Sequence, residues 1–194
     1  MKDYKLYIKQ HLAIIAALIL CLTSFGSCKK LVYSIRLERM IGKQLTITDD
    51  YLFVKGTNPY YQFDKSDVKV VLWFSPKECS TCRLSGLSNY RQLEDFCRDS
   101  VKNVGVMYIF SPSEEKRELF EEVIENTTRD ASIFVDYDNK FGSSNKFLSS
   151  EEELHCFLLD SENKIVLVGN PMLSNSVFNL YKNKLKELST LAKD

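Results

Sequence analysis

Val68-Lys69-Val70-Val71-Leu72-Trp73-Phe74-Ser75-Pro76-Lys77-Glu78-Cys79-Ser80-Thr81-Cys82 is the stretch on which the reading of this chain turns. Its first half, Val68 to Phe74, is a short, mostly apolar run of the kind that forms a buried strand. Ser75-Pro76 interrupts it. Two cysteines then stand two residues apart, and from Ser80 to about Cys97 the pattern is helical. Leu84, Leu87, Tyr90, Leu93 and Cys97 fall on one stripe of that helix. Strand, Cys-x-x-Cys, helix puts Cys79 at a helix start, where unpaired backbone N–H groups and the helix dipole favour a thiolate. The thiolate is the reactive form of cysteine. Cys82, one turn further on, is close enough to close a disulfide after Cys79 has attacked a substrate.

The chain begins with a basic segment, Lys2, Lys5 and Lys9, followed by an uncharged apolar stretch from Leu12 to Leu22 and small residues from Thr23 to Ser27. These are the three regions of a secretory signal peptide. The apolar stretch is about half the ~20 residues a membrane-crossing helix needs. Gly26-Ser27-Cys28 resembles a bacterial lipobox, with Phe25 where a smaller residue is usual. The resemblance implies cleavage between Ser27 and Cys28 and lipidation of Cys28. Lys29 and Lys30 come next and suit an anionic lipid surface.

Removal of residues 1–27 leaves 167 residues, enough for one domain with a full core. The removed segment carries a net +2 and the whole chain is neutral, so the mature part is near −2. No basic face for nucleic acid is implied. Of the six cysteines, Cys21 is expected to leave with the signal peptide, and Cys28 is the lipidation site if the lipobox resemblance holds, or incidental beside an ordinary signal peptide cut nearby. Cys97 reads as a small buried hydrophobe, and Cys156, in an expected strand, reads the same way. A Cys97–Cys156 disulfide stays open, because pairing depends on geometry. A zinc site would show a second Cys-x-x-Cys or a His pair, and the chain has neither.

Outward from the opening stretch, residues 29–66 read as an N-terminal extension. Val32 to Ile35 is a short strand or the start of a helix. Gln44 to Thr48 alternates as a half-buried strand does, Asp49-Asp50 signals a turn, and Tyr51 to Val54 is the returning strand. Gly56 to Pro59 ends it, and Tyr60 to Ser66 is a linking loop. Beyond the first helix, Val104 to Phe110 is a second core strand. Ser111-Pro112-Ser113-Glu114 then opens a helix with a capping box, and Leu119, Phe120, Val123 and Ile124 supply its buried face. Ser132 to Val135 is a strand, and Asn139 to Leu148 holds a short helix and loop. Cys156–Asp160 and Ile165–Val168 flank a hairpin turn. Gly169-Asn170-Pro171 breaks the chain before a last helix marked by Val177, Leu180, Tyr181, Leu185 and Leu188.

Alternating strands and helices, then a hairpin and a helix, make an α/β fold with a mixed sheet. With Cys79–Cys82 after Val70–Phe74, and Phe157-Leu158-Leu159-Asp160 with Lys164-Ile165-Val166 later on, this order resembles the thioredoxin-like superfamily over about residues 66–190. It is most similar to the TlpA-like branch, membrane-tethered thiol–disulfide oxidoreductases of the bacterial envelope. The resemblance implies a three-layer α/β/α sandwich with a central mixed sheet and an N-terminal β extension. It implies a signal peptide over residues 1–27, the extension over 28–65 and the thioredoxin-like domain over 66–194. It also implies disulfide exchange with exported cysteine-containing proteins or a redox-relay partner. Cys79 is then the nucleophile and Cys82 the resolving cysteine, with no organic cofactor and no resident metal, on the periplasmic side of the envelope.

Three positions depart from that pattern. Glu78 replaces an aromatic residue before Cys79, and its carboxylate is expected to oppose the thiolate, with Lys77 partly offsetting it. Trp73 stands where thioredoxin carries a buried acid. Leu154 or His155 occupies the place of a cis-proline ahead of the strand facing the dithiol. His155 is therefore a candidate base for Cys79 or Cys82, or a third ligand beside them, with a partly exposed bystander as the plainer reading. Two alternatives stand beside the redox enzyme: a non-catalytic binding module on the same scaffold, and a copper-handling protein using Cys79, Cys82 and His155. A peroxiredoxin is disfavoured, since Pro76 sits where that family needs Thr or Ser.

Overall fold

The computed structural model describes residues 32–48, 52–55, 68–127 and 131–191. The expected signal peptide, Cys28, the Asp49-Asp50 turn, Gly56–Pro59 and the Tyr60–Ser66 loop lie outside the described residues. The chain divides into two compact units, residues 1–39 and 40–194. A helix over residues 32–40, α1, accounts for the described part of the first, so Val32 to Ile35 is helical.

The second unit is built on a six-stranded sheet in the order β1-β4-β3-β2-β5-β6. Its strands are β1 (Leu52–Lys55), β2 (Val68–Phe74), β3 (Val104–Phe110), β4 (Ile133–Val135), β5 (Cys156–Leu159) and β6 (Ile165–Val168). All seven residues of β2 and all seven of β3 are buried, as strands covered on both faces require. β2 runs parallel to β3, with Phe74 opposite Phe110, and antiparallel to β5, with Leu72 opposite Cys156.

Chain handedness then places the helices. β2, β3 and β4 step in one direction across the sheet and are parallel, so right-handed crossovers bring their connecting helices to one face. Those helices are α2 (Ser80–Ser85), α3 (Arg91–Ser100) and α4 (Arg117–Glu125). They share one core with α6 (Asn175–Leu191): Leu84, Leu93, Phe120, Tyr181 and Leu185 pack with Val70, Leu72 and Phe74. The return to β5, on the far side of β2, passes α5 (Lys140–Ser144), whose Phe141 lies 5.4 Å from the Trp73 ring. β2 is thus the strand at which the order reverses, and the turn at its C-terminal end stands at a topological switch point. Strand order, mixed sheet and dithiol position together make a thioredoxin-like fold, with β1 as an N-terminal addition at the sheet edge.

Several local expectations are corrected. The helix after Cys82 is not continuous: a 3-10 segment, Gly86–Tyr90, separates α2 from α3. Leu84, Leu87, Tyr90 and Leu93 are spaced by three, and three residues per turn is the winding that keeps such a row on one face. The capping box at Ser111 does not form. Ser111 is fully buried, its hydroxyl is committed to Trp73 and Asp136, and the next turn starts at Glu114 without a side-chain cap. Leu119 and Leu180 face outward at 54% and 56% exposure, because Phe120 and Ile124, and Phe178, Tyr181 and Leu185, already fill the core beneath them. Gln44–Thr48 and β1 do not form a hairpin. Gln44 bridges Lys164 beside β6, whereas β1 pairs antiparallel with β4 at the opposite edge. Each segment covers one open edge, which a hairpin would have left exposed.

Trp73 and α5 lock this second face together. The indole Nε1 donates to Ser111 Oγ at 3.0 Å, and a Cβ added at Gly142 would lie 2.9 Å from the ring carbon Cζ2. Overpacking costs about 1–3 kcal/mol, and the better helix propensity of alanine returns at most ~1. Gly142→Ala is therefore expected to lose about 1–2 kcal/mol, measured by urea unfolding monitored through the emission of Trp73, the only tryptophan. Unchanged or raised stability would show that the indole and the Asn139 amide, whose Oδ1 lies 2.6 Å from that Cβ, both give way.

Candidate functional site

β2 delivers the chain through Ser75 and Pro76 to Cys79, the N-cap residue of α2. Cys79 and Cys82 are joined by a disulfide, with their Cα atoms 5.2 Å apart. Cys79 Sγ accepts the Cys82 backbone N–H at 3.3 Å and lies 3.5 Å from Thr81 Oγ1. Cys79 is half-buried and Cys82 is exposed.

Glu78 points inward. It is 4% exposed, and Oε1 accepts the Ser75 backbone N–H at 3.0 Å while Oε2 accepts Arg83 Nε at 3.0 Å. Oε1 also lies 3.1 Å from His155 Nδ1. Arg83 continues outward through Nη2 to Glu152 Oε2 at 2.7 Å. Partial burial pulls the Arg83 pKa down, but Glu78 and Glu152 outweigh it and the net shift is upward. The carboxylate next to Cys79 is therefore matched by donors of its own.

His155 is 5% exposed and not the partly exposed residue its sequence position implied. Its Nε2 lies 2.8 Å from the Ser149 carbonyl, which can only accept, so Nε2 carries a hydrogen. The Nδ1–Oε1 contact then needs a second proton, held by the imidazole or by the carboxyl. The ring centroid lies 4.5 Å from that of Trp73, the two planes tilted by 40°. Trp73 itself feeds a buried chain: Ser111 Oγ donates to Asp136 Oδ2 at 3.3 Å, and Asp136 accepts the N–H groups of Lys140 and Phe141, each at 2.8 Å. An acid is present on this side of the sheet, but it caps α5.

The structure thus joins Cys79 to Cys82 and Glu78 to His155, whose ring nitrogens meet Glu78 and Ser149 and not a sulfur, and it leaves Lys77 exposed. No peptide bond is cis among the described residues; Leu154-His155 enters β5 in the trans form. Both nitrogens of His155 are engaged, and no group of three or more potential metal ligands occurs among the described residues. The copper reading therefore finds no support there. Cys97 and Cys156 are free and buried, which settles their pairing. Burial pushes both thiols up to about 12.

Sequence reasoning missed Arg83 and its partner Glu152. The one available signal was the charge complement of Glu78 five residues away, a spacing that regular helix geometry would not join. It also missed a cavity of about 280 Å³ lined in part by Glu78, Arg83, Tyr90, His155, Cys156 and Asn170. Burial raises the Tyr90 phenol to about 12, and its oxygen accepts Asn170 Nδ2 at 2.8 Å.

No protein-family model and no curated protein matches this chain. Solved structures similar to it include a thioredoxin-like protein from Bacteroides caccae ATCC 43185, at 17% identity and TM-score 0.44. That match covers 81% of this chain and 55% of the other, so the chain spans about half of that protein's length. The pneumococcal exposed lipoprotein thioredoxin of Streptococcus pneumoniae strain TIGR4 matches at 13% identity and TM-score 0.45, over 70% of this chain and 99% of its own. An uncharacterized thioredoxin-like protein from Porphyromonas gingivalis matches at 14% and 0.42, over 64% and 76%.

Two outcomes test the electrostatics. Removing one partner of a buried ion pair costs about 3–5 kcal/mol, and Arg83, whose side chain is 41% exposed, can recover some hydration. Glu78→Ala is expected at the lower end of that range in urea unfolding of the oxidised protein, and Glu78→Gln, which keeps an acceptor, should lose less. A Glu78→Ala protein as stable as the parent would show that the cluster contributes nothing. The second outcome concerns alkali. Cys97 and Cys156 keep their protons in the folded chain up to about 12 against an ordinary value of 9.0, so between these pH values the unfolded chain holds fewer protons. Stability falls as pH rises through that window. The Cys97→Ala/Cys156→Ala double variant should show a shallower decline, the remainder coming from Tyr90 and from Tyr181, whose phenol burial also raises. An unchanged slope would place these thiols in contact with water.

Proposed function

We propose that this protein is a thiol–disulfide oxidoreductase of the bacterial envelope, anchored through Cys28 and facing the periplasm, that exchanges disulfides with exported cysteine-containing proteins or a redox-relay partner. The observation that carries the proposal is the Cys79–Cys82 disulfide at the C-terminal end of the central strand, with Cys82 exposed. A bond meant only to brace the fold gains nothing from such a position. An accessible disulfide at a switch point can be reached by another chain's thiol.

The chemistry needs two electrons and two protons per cycle. Water supplies the proton at exposed Cys82, so no buried acid is required where Trp73 stands. The anchor rests on the n-, h- and c-regions and on Gly26-Ser27-Cys28. No helix among the described residues is long and apolar enough to cross a membrane. A non-catalytic binding module is the second reading, favoured by the trans Leu154-His155 entry to β5.

A redox titration of the full chain in detergent, in glutathione buffers with thiols trapped and counted by mass, separates the two. The oxidoreductase predicts a reversible two-electron transition at Cys79–Cys82, with Cys97 and Cys156 silent. A midpoint near about −120 to −200 mV marks an oxidant of partners, and one near about −270 mV a reductant. A disulfide that stays closed below about −300 mV is structural and overturns the proposal. Either Cys79→Ser or Cys82→Ser should abolish multiple turnover.

A further inference from the structure

We infer that Glu78 and His155 hold one proton between them, and that this proton cancels the negative charge the Glu78 carboxylate would otherwise place beside Cys79. His155 is then a positioning residue for the dithiol, acting through Glu78 and not by contact with a sulfur. The functional consequence rests on the oxidoreductase reading above; the proton itself does not.

Hydrogen-bond accounting fixes the proton. His155 Nε2 faces the Ser149 carbonyl at 2.8 Å, which can only accept, so its one obligatory hydrogen is spent there. A neutral imidazole then turns a bare lone pair on Nδ1 towards Glu78 Oε1, 3.1 Å away. An ionised carboxylate is also an acceptor only. The two side chains are 4% and 2% exposed, and acceptor facing acceptor without a hydrogen is repulsive in so dry a place. A proton on either atom turns the repulsion into a charge-assisted or neutral hydrogen bond.

The surrounding charges give the pair a reason to keep it. Arg83 is the one permanent cation among the described residues that line the cavity, and it divides itself between Glu78, at 3.0 Å, and Glu152, at 2.7 Å. Without the shared proton the linked set of Glu78, His155, Arg83 and Glu152 carries a net −1; with it the set is neutral. Glu153, from the same turn as Glu152, is exposed at the cavity wall and adds negative charge. Tyr90 from the 3-10 segment and Cys156 from β5 also line the cavity, and burial pushes both up to about 12, so neither supplies or removes charge near neutral pH. Asp136, the buried acid beyond Trp73, is spent on the N–H groups of Lys140 and Phe141.

The turn bearing Cys79 is arranged for the opposite sign of charge. Cys79 Sγ accepts the Cys82 N–H at 3.3 Å and lies 3.5 Å from the Thr81 hydroxyl, contacts that favour a thiolate there once the disulfide is opened. Glu78 is joined to Cys79 by one peptide bond, and the Cys79 carbonyl accepts the Arg83 N–H at 2.9 Å, so both charged side chains spring from that same turn. A bare carboxylate on the adjoining residue would work against those donors. The shared proton removes the conflict. It is not passed on during exchange; its effect on Cys79 is electrostatic.

The test uses the full chain in detergent as parent, Glu78→Gln, His155→Gln and the double variant. In the first measurement, nuclear magnetic resonance of the oxidised parent at pH 7 reads the ring nitrogens of histidine and the carboxyl carbons of glutamate. The chain has two histidines, and loss of signals in His155→Gln assigns one set to His155. Either both His155 nitrogens carry hydrogen or Glu78 is in its acid form; a bare Nδ1 together with an ionised Glu78 overturns the inference. In the second, the pH dependence of iodoacetamide alkylation, mapped by mass, gives the Cys79 midpoint in each reduced protein. His155→Gln removes the proton's holder and leaves the carboxylate, so its midpoint is expected to rise by roughly one pH unit, which cuts the thiolate fraction below the midpoint about tenfold. Glu78→Gln removes carboxylate and proton together and is expected at the parent's midpoint, as is the double variant. An unmoved midpoint in His155→Gln, or one in Glu78→Gln lowered by about a unit, would show a carboxylate without the proton and overturn the inference while the oxidoreductase reading stands. A parent dithiol that shows no reversible transition in glutathione buffers overturns that reading and leaves the resonance result to decide the proton. Far-UV circular dichroism identifies a variant that fails to fold, in which case the parent's resonances decide alone.

Discussion

A carboxylate taken out of water is the group around which the active end of this protein is arranged. Glu78 is 4% exposed and lies one peptide bond from Cys79. An isolated charge there would be far too costly to keep, so its donors are obligatory. Ser75 supplies one from the end of β2, Arg83 one from α2, and His155 meets it from the residue before β5. Three separate parts of the chain are thereby fixed at one point, and the disulfide inherits its orientation from them. Removing any of these partners would leave a buried polar group unsatisfied, which gives the arrangement its rigidity.

The same cluster accounts for how the site works without two features of the family it resembles. The loop entering β5 is held by His155, through Nε2 to Ser149 and through its backbone carbonyl to Trp73, in place of a cis-proline. Trp73, in the position of the buried acid, touches His155 on one side and on the other enters a chain of contacts with Ser111 and Asp136 that joins β3, the end of β4 and α5. The functions usually gathered around the dithiol are here divided. One network fixes the residue before Cys79, and another holds the sheet to its covering helix.

Much of the fold was legible because it depends on patterns local in sequence. The continuous apolar runs of β2 and β3 permit only strands covered on both faces, and the stripe from Leu84 to Cys97 permits only a helix packed on that sheet. The misreadings arose where a residue had two local uses. Ser111 fits a capping box by spacing, but its hydroxyl is drawn into the core, where it accepts the indole N–H of Trp73. Gln44–Thr48 alternates like one arm of a hairpin, yet the edge beside β6 and the edge beside β4 each needed a cover, and the two segments separated to provide it.

At the site itself the division is sharper. The sequence determined the dithiol and its place between a buried strand and a helix, because each is written in contiguous residues. Only the tertiary structure decided what Glu78, Arg83 and His155 do. Glu78 reads as a charge opposing a thiolate, and nothing in the text marks Arg83, until the fold brings His155 across 77 positions to meet Glu78. The two sulfurs of Cys79-Ser80-Thr81-Cys82 are equivalent as text. Their difference in exposure and hydrogen bonding exists only once the turn of α2 has been set against the sheet, since burial and direction belong to the packed chain and not to any residue alone.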